Sequence, residues 1–324
     1  MKIYRNPDPT TWAEILKRPA FDPGNLEPVV QGVLDDVKAE GDAALRRYTE
    51  KFDKVALTDL QVSPAEIEAA AAQIGESLRA SIQTAIQNIR RFHSRQQLAV
   101  ERIETMPGVT CWRKSVPIEK VGLYIPGGTA PLFSTVLMLA IPAQLAGCRE
   151  IVLCTPPAKD GSVHPAILFA AREVGVTRIF KLGGVQAIGA LAFGTESVPA
   201  VYKIFGPGNQ YVTAAKQMVN RLGVAIDMPA GPSEVLVCAD DSAHPAFVAA
   251  DLLSQAEHGV DSQVVLVAFS EEKVKAVLAE VDQQLAGLPR REIAAEALKH
   301  SVATVLPDRP TALALINEYA PEHL

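Results

Sequence analysis

The chain has 324 residues, 48% hydrophobic and 21% charged, with a formal charge of −6. That length can carry two ordinary domains, each with its own core, and the negative balance argues against nucleic acid or another polyanion as partner. No stretch approaches about 18 uninterrupted apolar residues and residues 1–11 hold no apolar signal core, so a cytoplasmic protein without membrane spans is expected. The four cysteines, Cys111, Cys148, Cys154 and Cys238, show no CxxC spacing and read as reduced, buried thiols.

In chain order, residues 27–51 and 64–99 carry apolar side chains at three- and four-residue spacing, with turn signals at Gly41-Asp42 and Gly75. These are helices. Near residues 109–115 the pattern shifts toward β, through Val109, Cys111 and Trp112.

From Val121 onward, short apolar runs alternate with helical stretches. Strands are predicted at 121–125, 151–154, 179–182 and 201–205, and helices at 132–146, 165–174, 185–193 and 210–222. Parallel neighbours need a crossover, so this alternation means βαβ units. A second series follows, with strands at 235–238, 264–269 and 302–306. Its helices are predicted at 245–257, 272–285, 291–300 and 311–319. The expectation is two α/β domains with parallel sheets. Residues 1–26 would form an N-terminal arm, and residues 27–119 with 233–324 one discontinuous domain that includes the N-terminal helical segment. Residues 120–232 would form the other.

Three predicted strands run into glycine-rich turns that open helices. These are Tyr124-Ile125-Pro126-Gly127-Gly128-Thr129, Leu182-Gly183-Gly184-Val185-Gln186 and Phe205-Gly206-Pro207-Gly208-Asn209. Glycine permits tight turns and close ligand approach, and a helix N-terminus offers free N–H groups to an anion. None matches G-x-G-x-x-G, and no acidic residue stands convincingly about twenty residues on. Taken by themselves, the loops indicate an anion- or nucleotide-binding α/β protein and no specific cofactor.

Asp251, Gln255 and His258 share one helical face, and Gly259 is a stop signal. A histidine near a helix C-terminus gains from the dipole without any metal, whereas a Gln/His pair could also offer two ligands to zinc. Glu322-His323 follows Pro321. A carboxylate beside an imidazole can move protons near neutrality, but by general rules a solvated tail explains the pair better, and the residues alone assign it no role.

Together these segments resemble the L-histidinol dehydrogenase family. The resemblance rests on residues 121–136, Phe205-Gly206-Pro207-Gly208-Asn209, Ala230-Gly231-Pro232-Ser233-Glu234-Val235, Gln255-Ala256-Glu257-His258 and 318–324, and is collinear from about residue 26. It implies two Rossmann-like domains akin to aldehyde dehydrogenases, a homodimer, and oxidation of L-histidinol to L-histidine with two NAD. It also implies that Gln255 and His258 are zinc ligands beside the substrate. Ser233 and His323 would contact the substrate, and Tyr124, Gln186 and Asn209 would contact NAD. Glu322 and His323 would be the acid–base pair.

Family members continue past the Glu-His pair and supply an aspartate and a histidine as further zinc ligands. The chain is therefore expected to be a C-terminally truncated member, binding zinc weakly and with little activity. Rival readings are a zinc- and NAD-dependent dehydrogenase of another polar alcohol, a non-catalytic two-domain ligand-binding protein, and an aldehyde dehydrogenase using Cys238. The histidinol dehydrogenase reading requires the Gln-His turn and the Glu-His couple to share one pocket beside the looped strand ends.

Overall fold

The computed structural model describes residues 1–19, 26–127, 131–229 and 231–324. Gly128 and Thr129 of the first glycine loop, and Ala230, lie outside the described residues. The chain divides into two compact units, one of residues 22–230 and one of residues 1–21 with 231–324.

In the unit of residues 22–230, five parallel strands are β4 (Lys120–Tyr124), β5 (Glu150–Thr155), β6 (Arg178–Lys181), β7 (Lys203–Phe205) and β8 (Ala225–Ile226). Their spatial order is β6-β5-β4-β7-β8. Counted within the sheet this is 3-2-1-4-5, the doubly wound arrangement, whose order reverses between β4 and β7. The crossovers are α6 (Phe133–Ala146), α7 (Pro165–Glu173), α8 (Gly184–Phe193) and α9 (Gln210–Arg221), each within one or two residues of the sequence expectation at its ends.

The expected allocation of residues 27–119 is corrected. They belong with 120–230, not with 233–324. The apolar face of α2 (Glu27–Glu40) buries Val30, Val33, Leu34 and Val37 in the same core as Ile188 and Leu191 of α8. The next helix, α3 (Asp42–Asp53), is anchored by Asp42, which accepts hydrogen bonds from Thr195 and Ser197. On the other sheet face, α4 (Pro64–Ala72) and α5 (Glu76–His93) bury Ile67, Ile82 and Ile86 against α6 and α7. The segment between α3 and α4 runs along β6, with Val62 N–H donating to Ile179 O at 2.9 Å and Lys181 N–H to Leu60 O at 2.8 Å. Periodicity marks an apolar face but not the sheet that covers it.

A two-stranded antiparallel hairpin, β2 (Arg102–Met106) with β3 (Val109–Trp112), precedes β4 and is exposed along its whole length.

In the other unit, four parallel strands run β1-β11-β10-β9. They are β1 (Lys2–Arg5), β9 (Glu234–Ala239), β10 (Gln263–Ala268) and β11 (Val302–Val305). The N-terminal arm is thus corrected to an edge strand, since Lys2 to Arg5 pair with Val302 to Val305. Helices α10 (Pro245–Ala256), α11 (Glu271–Leu285) and α12 (Arg291–Lys299) accompany one core, and α1 (Trp12–Ile15) and α13 (Arg309–Tyr319) contribute to the other. Val264, Leu266 and Ala268 lie in the first core and Val265 and Val267 in the second, the period of two of a strand covered on both faces.

The cysteine expectation is corrected in part. All four are free, but Cys111 and Cys238 are exposed, Cys148 is half-buried and only Cys154 is buried. Among the described residues no helix is long and apolar enough to cross a membrane.

Candidate functional site

A cavity of about 1040 Å³ opens at the carboxyl ends of the five-stranded sheet. Tyr124 comes from the end of β4, Thr155 from the end of β5, Gln186 from the start of α8 and Asn209 from the loop after β7. This is the topological switch point, where doubly wound sheets take their ligands. The three residues expected to contact NAD, Tyr124, Gln186 and Asn209, meet here in one wall.

Their surroundings separate structural duty from spare bonding capacity. Asn209 Oδ1 accepts from Tyr211 N–H and Val212 N–H, both at 3.1 Å, and so caps α9. By contrast, the N-cap of α8 is Gly183, which has no side chain to offer, and the Tyr124 hydroxyl accepts the Gly184 N–H at 3.1 Å. Burial pushes the Tyr124 phenol up to about 12, so it stays protonated and free to donate. Gln186 is 0% exposed, yet among the described residues neither its amide nitrogen nor its amide oxygen has a partner. Thr155 Oγ1 is also buried without one among those residues. Unpaired buried polar atoms are costly in a folded protein, and their convergence on one cavity marks it as a place for a ligand.

The glycines beside the cavity serve close packing. At Gly206, φ is +131°, and a Cβ would lie 2.0 Å from the Tyr124 carbonyl oxygen. At Gly183 a Cβ would meet the Pro156 ring at 2.6 Å. Lys216, 5% exposed, braces the loop after β7 by donating to Gly206 O at 2.8 Å and pairing with Asp227. Asp227 in turn accepts the Gly206 N–H at 2.8 Å.

In the other unit, the remaining site residues gather at the amino ends of the parallel strands. Ser233 immediately precedes β9, and its carbonyl accepts the Gln263 N–H at 3.1 Å. Helix α10 returns antiparallel to β9, which brings its C-terminus to the same end. Gln255 is half-buried in its last turn. His258 is corrected from the last helical turn to the turn just beyond it, because α10 ends at Ala256. Its N–H donates to Gln255 O at 3.1 Å, and its carbonyl accepts from Arg290 Nη2 at 3.3 Å.

Glu322 and His323 reach this end too. After α13, Ala320 adopts a left-handed conformation at φ 47° and turns the chain back. Val235 and His323 form a parallel bridge, and Leu236 N–H donates to His323 O at 2.9 Å. Arg18 holds this turn together. Its guanidinium pairs with Glu234 at 2.7 Å, donates to the Tyr319 and Ala320 carbonyls at 2.7 and 3.2 Å, and stacks 4.4 Å over the Tyr319 ring. Tyr319, 1% exposed, donates to Glu234 at 2.9 Å. The Glu322 and His323 side chains are both exposed, with Oε1 and Nε2 3.9 Å apart, too far for a hydrogen bond.

A sequence model of histidinol dehydrogenase matches residues 16–324. The chain belongs to the histidinol dehydrogenase family. It is 61% identical to a histidinol dehydrogenase of Bacteroides thetaiotaomicron over 324 residues, covering 100% of this chain and 76% of that protein. It is 52% identical to one from Salmonella typhimurium, covering 96% of this chain and 71% of the relative. The crystal structure of histidinol dehydrogenase from Elizabethkingia anophelis superposes with a TM-score of 0.97 at 55% identity, over 100% of this chain and 75% of that one. Family membership makes the chain an NAD-dependent oxidoreductase, with the α/β fold that the resemblance implied.

Sequence reasoning missed Arg18, Glu234, Thr155, Asp53 and the Lys216–Asp227 pair. Glu234 stood within a quoted motif and was passed over. The others carry no local signature, because each acquires its role from a partner or a cavity wall far along the chain. The cysteine-nucleophile reading is corrected. Cys238 sits at the opposite end of β9, and burial and Asp240 both raise its thiol above the usual range. An activated nucleophile needs the reverse shift.

Proposed function

We propose that the chain oxidises histidinol to histidine, seating NAD in the cavity of residues 22–230 and handling the substrate with Ser233, Gln255, His258, Glu322 and His323. The observation that carries the cofactor reading is Gln186, enclosed at the switch point with both ends of its amide unpartnered among the described residues. Its amide, the Tyr124 hydroxyl and the N-terminal end of α8 offer donors to a pyrophosphate and its riboses. NAD, when bound, accepts a hydride in each of the two oxidations.

His323 would accept the substrate's hydroxyl proton as the hydride departs, leaving an aldehyde. Glu322 would then take a proton from water as its oxygen attacks that aldehyde. Loss of a second hydride and a proton from the resulting hydrate anion yields the carboxylate. An anchored turn suits this work, since proton transfer requires fixed donor and acceptor positions.

Gln255 and His258 fit one half of a zinc set, offering one oxygen and one nitrogen donor about one helical turn apart. Among the described residues no cluster of three or more His, Cys, Asp or Glu side chains could complete it. Zinc, when bound, would grip and orient the substrate. For the assembly we propose a homodimer, supported by the open hairpin β2–β3 with exposed Ile103, Met106 and Trp112. Trp112→Glu should then lower the mass measured by light scattering.

The test separates the half-reactions. Reduced nicotinamide is followed with histidinol or histidinal as donor, alongside other polar alcohols as alternative substrates. In a version extended with the family's C-terminal region, Glu322→Gln should slow histidinal oxidation by about a hundredfold and spare histidinol oxidation. Equal losses in both would overturn the assignment of Glu322, and faster turnover of another alcohol would overturn the substrate.

A further inference from the structure

Helix α2 and the end of α3 also line the cavity, through Val29, Val33, Phe52 and Asp53, and Asp53 is an acid that no motif announced. Asp53 is the last residue of α3, where Lys54 turns the chain left-handed at φ 62°. It is half-buried, lines the cavity with Tyr124 and Gln186, and its Oδ2 is enclosed without a hydrogen-bond partner among the described residues. Its neighbour Phe52 lines the same cavity, is 49% exposed, and has its ring stacked on Tyr48 at 5.5 Å with the Lys51 ammonium 5.4 Å from its centroid. A carboxylate in such a position is an acceptor with spare capacity. The exposed part of an aromatic ring beside it suits a flat heterocycle.

We infer that Asp53 accepts the hydroxyls of the adenosine ribose, with the adenine against Phe52, and thereby selects the unphosphorylated dinucleotide over its 2′-phosphorylated form. This rests on the proposed seating of NAD in the cavity. A vicinal diol supplies two O–H donors, and each hydrogen bond to an ionised acceptor is among the stronger ones. A 2′-phosphate would instead bring two negative charges against a desolvated carboxylate. Burial alone pushes the Asp53 carboxyl up to about 6, the cost of an unpaired charge that a bound diol would relieve. The acid that ordinary dinucleotide folds carry on the sheet would here come from a helix that precedes it, which is why its spacing after the glycine loops was uninformative.

The experiment measures binding of NAD and NADP to the whole chain by calorimetry, without turnover. The variants Asp53→Asn and Gln186→Leu are compared, with thermal unfolding to verify the fold. Asp53→Asn should weaken NAD by about tenfold and reduce the preference for NAD over NADP by a similar factor. Unchanged NAD affinity, or an unchanged preference, overturns the inference. If Gln186→Leu weakens NAD while Asp53→Asn does not, the cavity still seats the cofactor and the role of Asp53 alone fails. If neither variant has an effect, the seating itself is wrong. On the unaltered protein, adenosine 5′-monophosphate should bind and adenosine 2′,5′-bisphosphate should not. Equal binding of the two overturns the inference without any variant.

Discussion

Leu236 donates its backbone N–H to the carbonyl oxygen of His323 at 2.9 Å, so the Glu322-His323 pair continues the edge of a parallel sheet at β9. A sheet edge is a more rigid mount than a free turn, because a ladder bond fixes both direction and register. The exposed side chains on this segment therefore stand on an ordered backbone.

Arg18 is the clamp for that backbone, and Arg18→Met should release it. The lost contacts are a carboxylate pair and two carbonyl acceptors, and Glu234 would remain partly enclosed without its cation. A destabilisation of about 2 kcal/mol is expected. Hydrogen exchange at the Leu236 amide should quicken more than at core amides of β10. Uniform exchange across the sheet would show that Arg18 acts on global stability only.

Gln186 should oppose stability and binding to each other. Gln186→Leu removes two enclosed polar atoms that have no partners among the described residues, so the variant without ligand should be about 1 kcal/mol more stable than the parent. The same change should abolish protection by NAD in a thermal-shift titration. A variant that is less stable and still protected would mean the amide is satisfied in solution.

Asp53 ties stability to pH. Its folded value of about 6 lies above its ordinary 3.8, so between those values the folded chain holds more protons than the unfolded one. Stability contributed by this group is present below about pH 4 and is lost as pH rises through about 6. Asp53→Asn should therefore match the parent near pH 4 and exceed it at pH 8, by on the order of 1 kcal/mol after allowance for solvent screening. Chemical denaturation at the two pH values measures the difference.

Lys216 and Asp227 should behave as a unit. Lys216→Met leaves Asp227 without its cation and frees the Gly206 carbonyl, at a cost of about 3 kcal/mol. Adding Asp227→Asn should recover part of that loss, because the unpaired charge is then gone. A double-mutant cycle with additive effects would contradict the coupling.

Much of the fold was legible in the sequence because its signals are local. Runs such as Val264 to Phe269 are strands by length and composition, the alternation with helices required parallel crossovers, and Gly41 and Gly75 separate helices that the structure also separates. The collinear motifs likewise carried the family, since they name residues and not contacts. Long-range partners decided the rest. Lys2 to Arg5 have no strand signature of their own and became β1 only because β11 offered an unpaired edge. Residues 27–119 joined the five-stranded sheet because α8 and α6 presented apolar faces that matched theirs. Asp53 and Gln186 look like ordinary polar residues until packing encloses them without partners, and Glu322-His323 looks like a tail until β9 takes it up. Periodicity and motif are properties of neighbours along the chain. Burial, pairing and charge environment belong to neighbours in space, and only the folded chain brings those together.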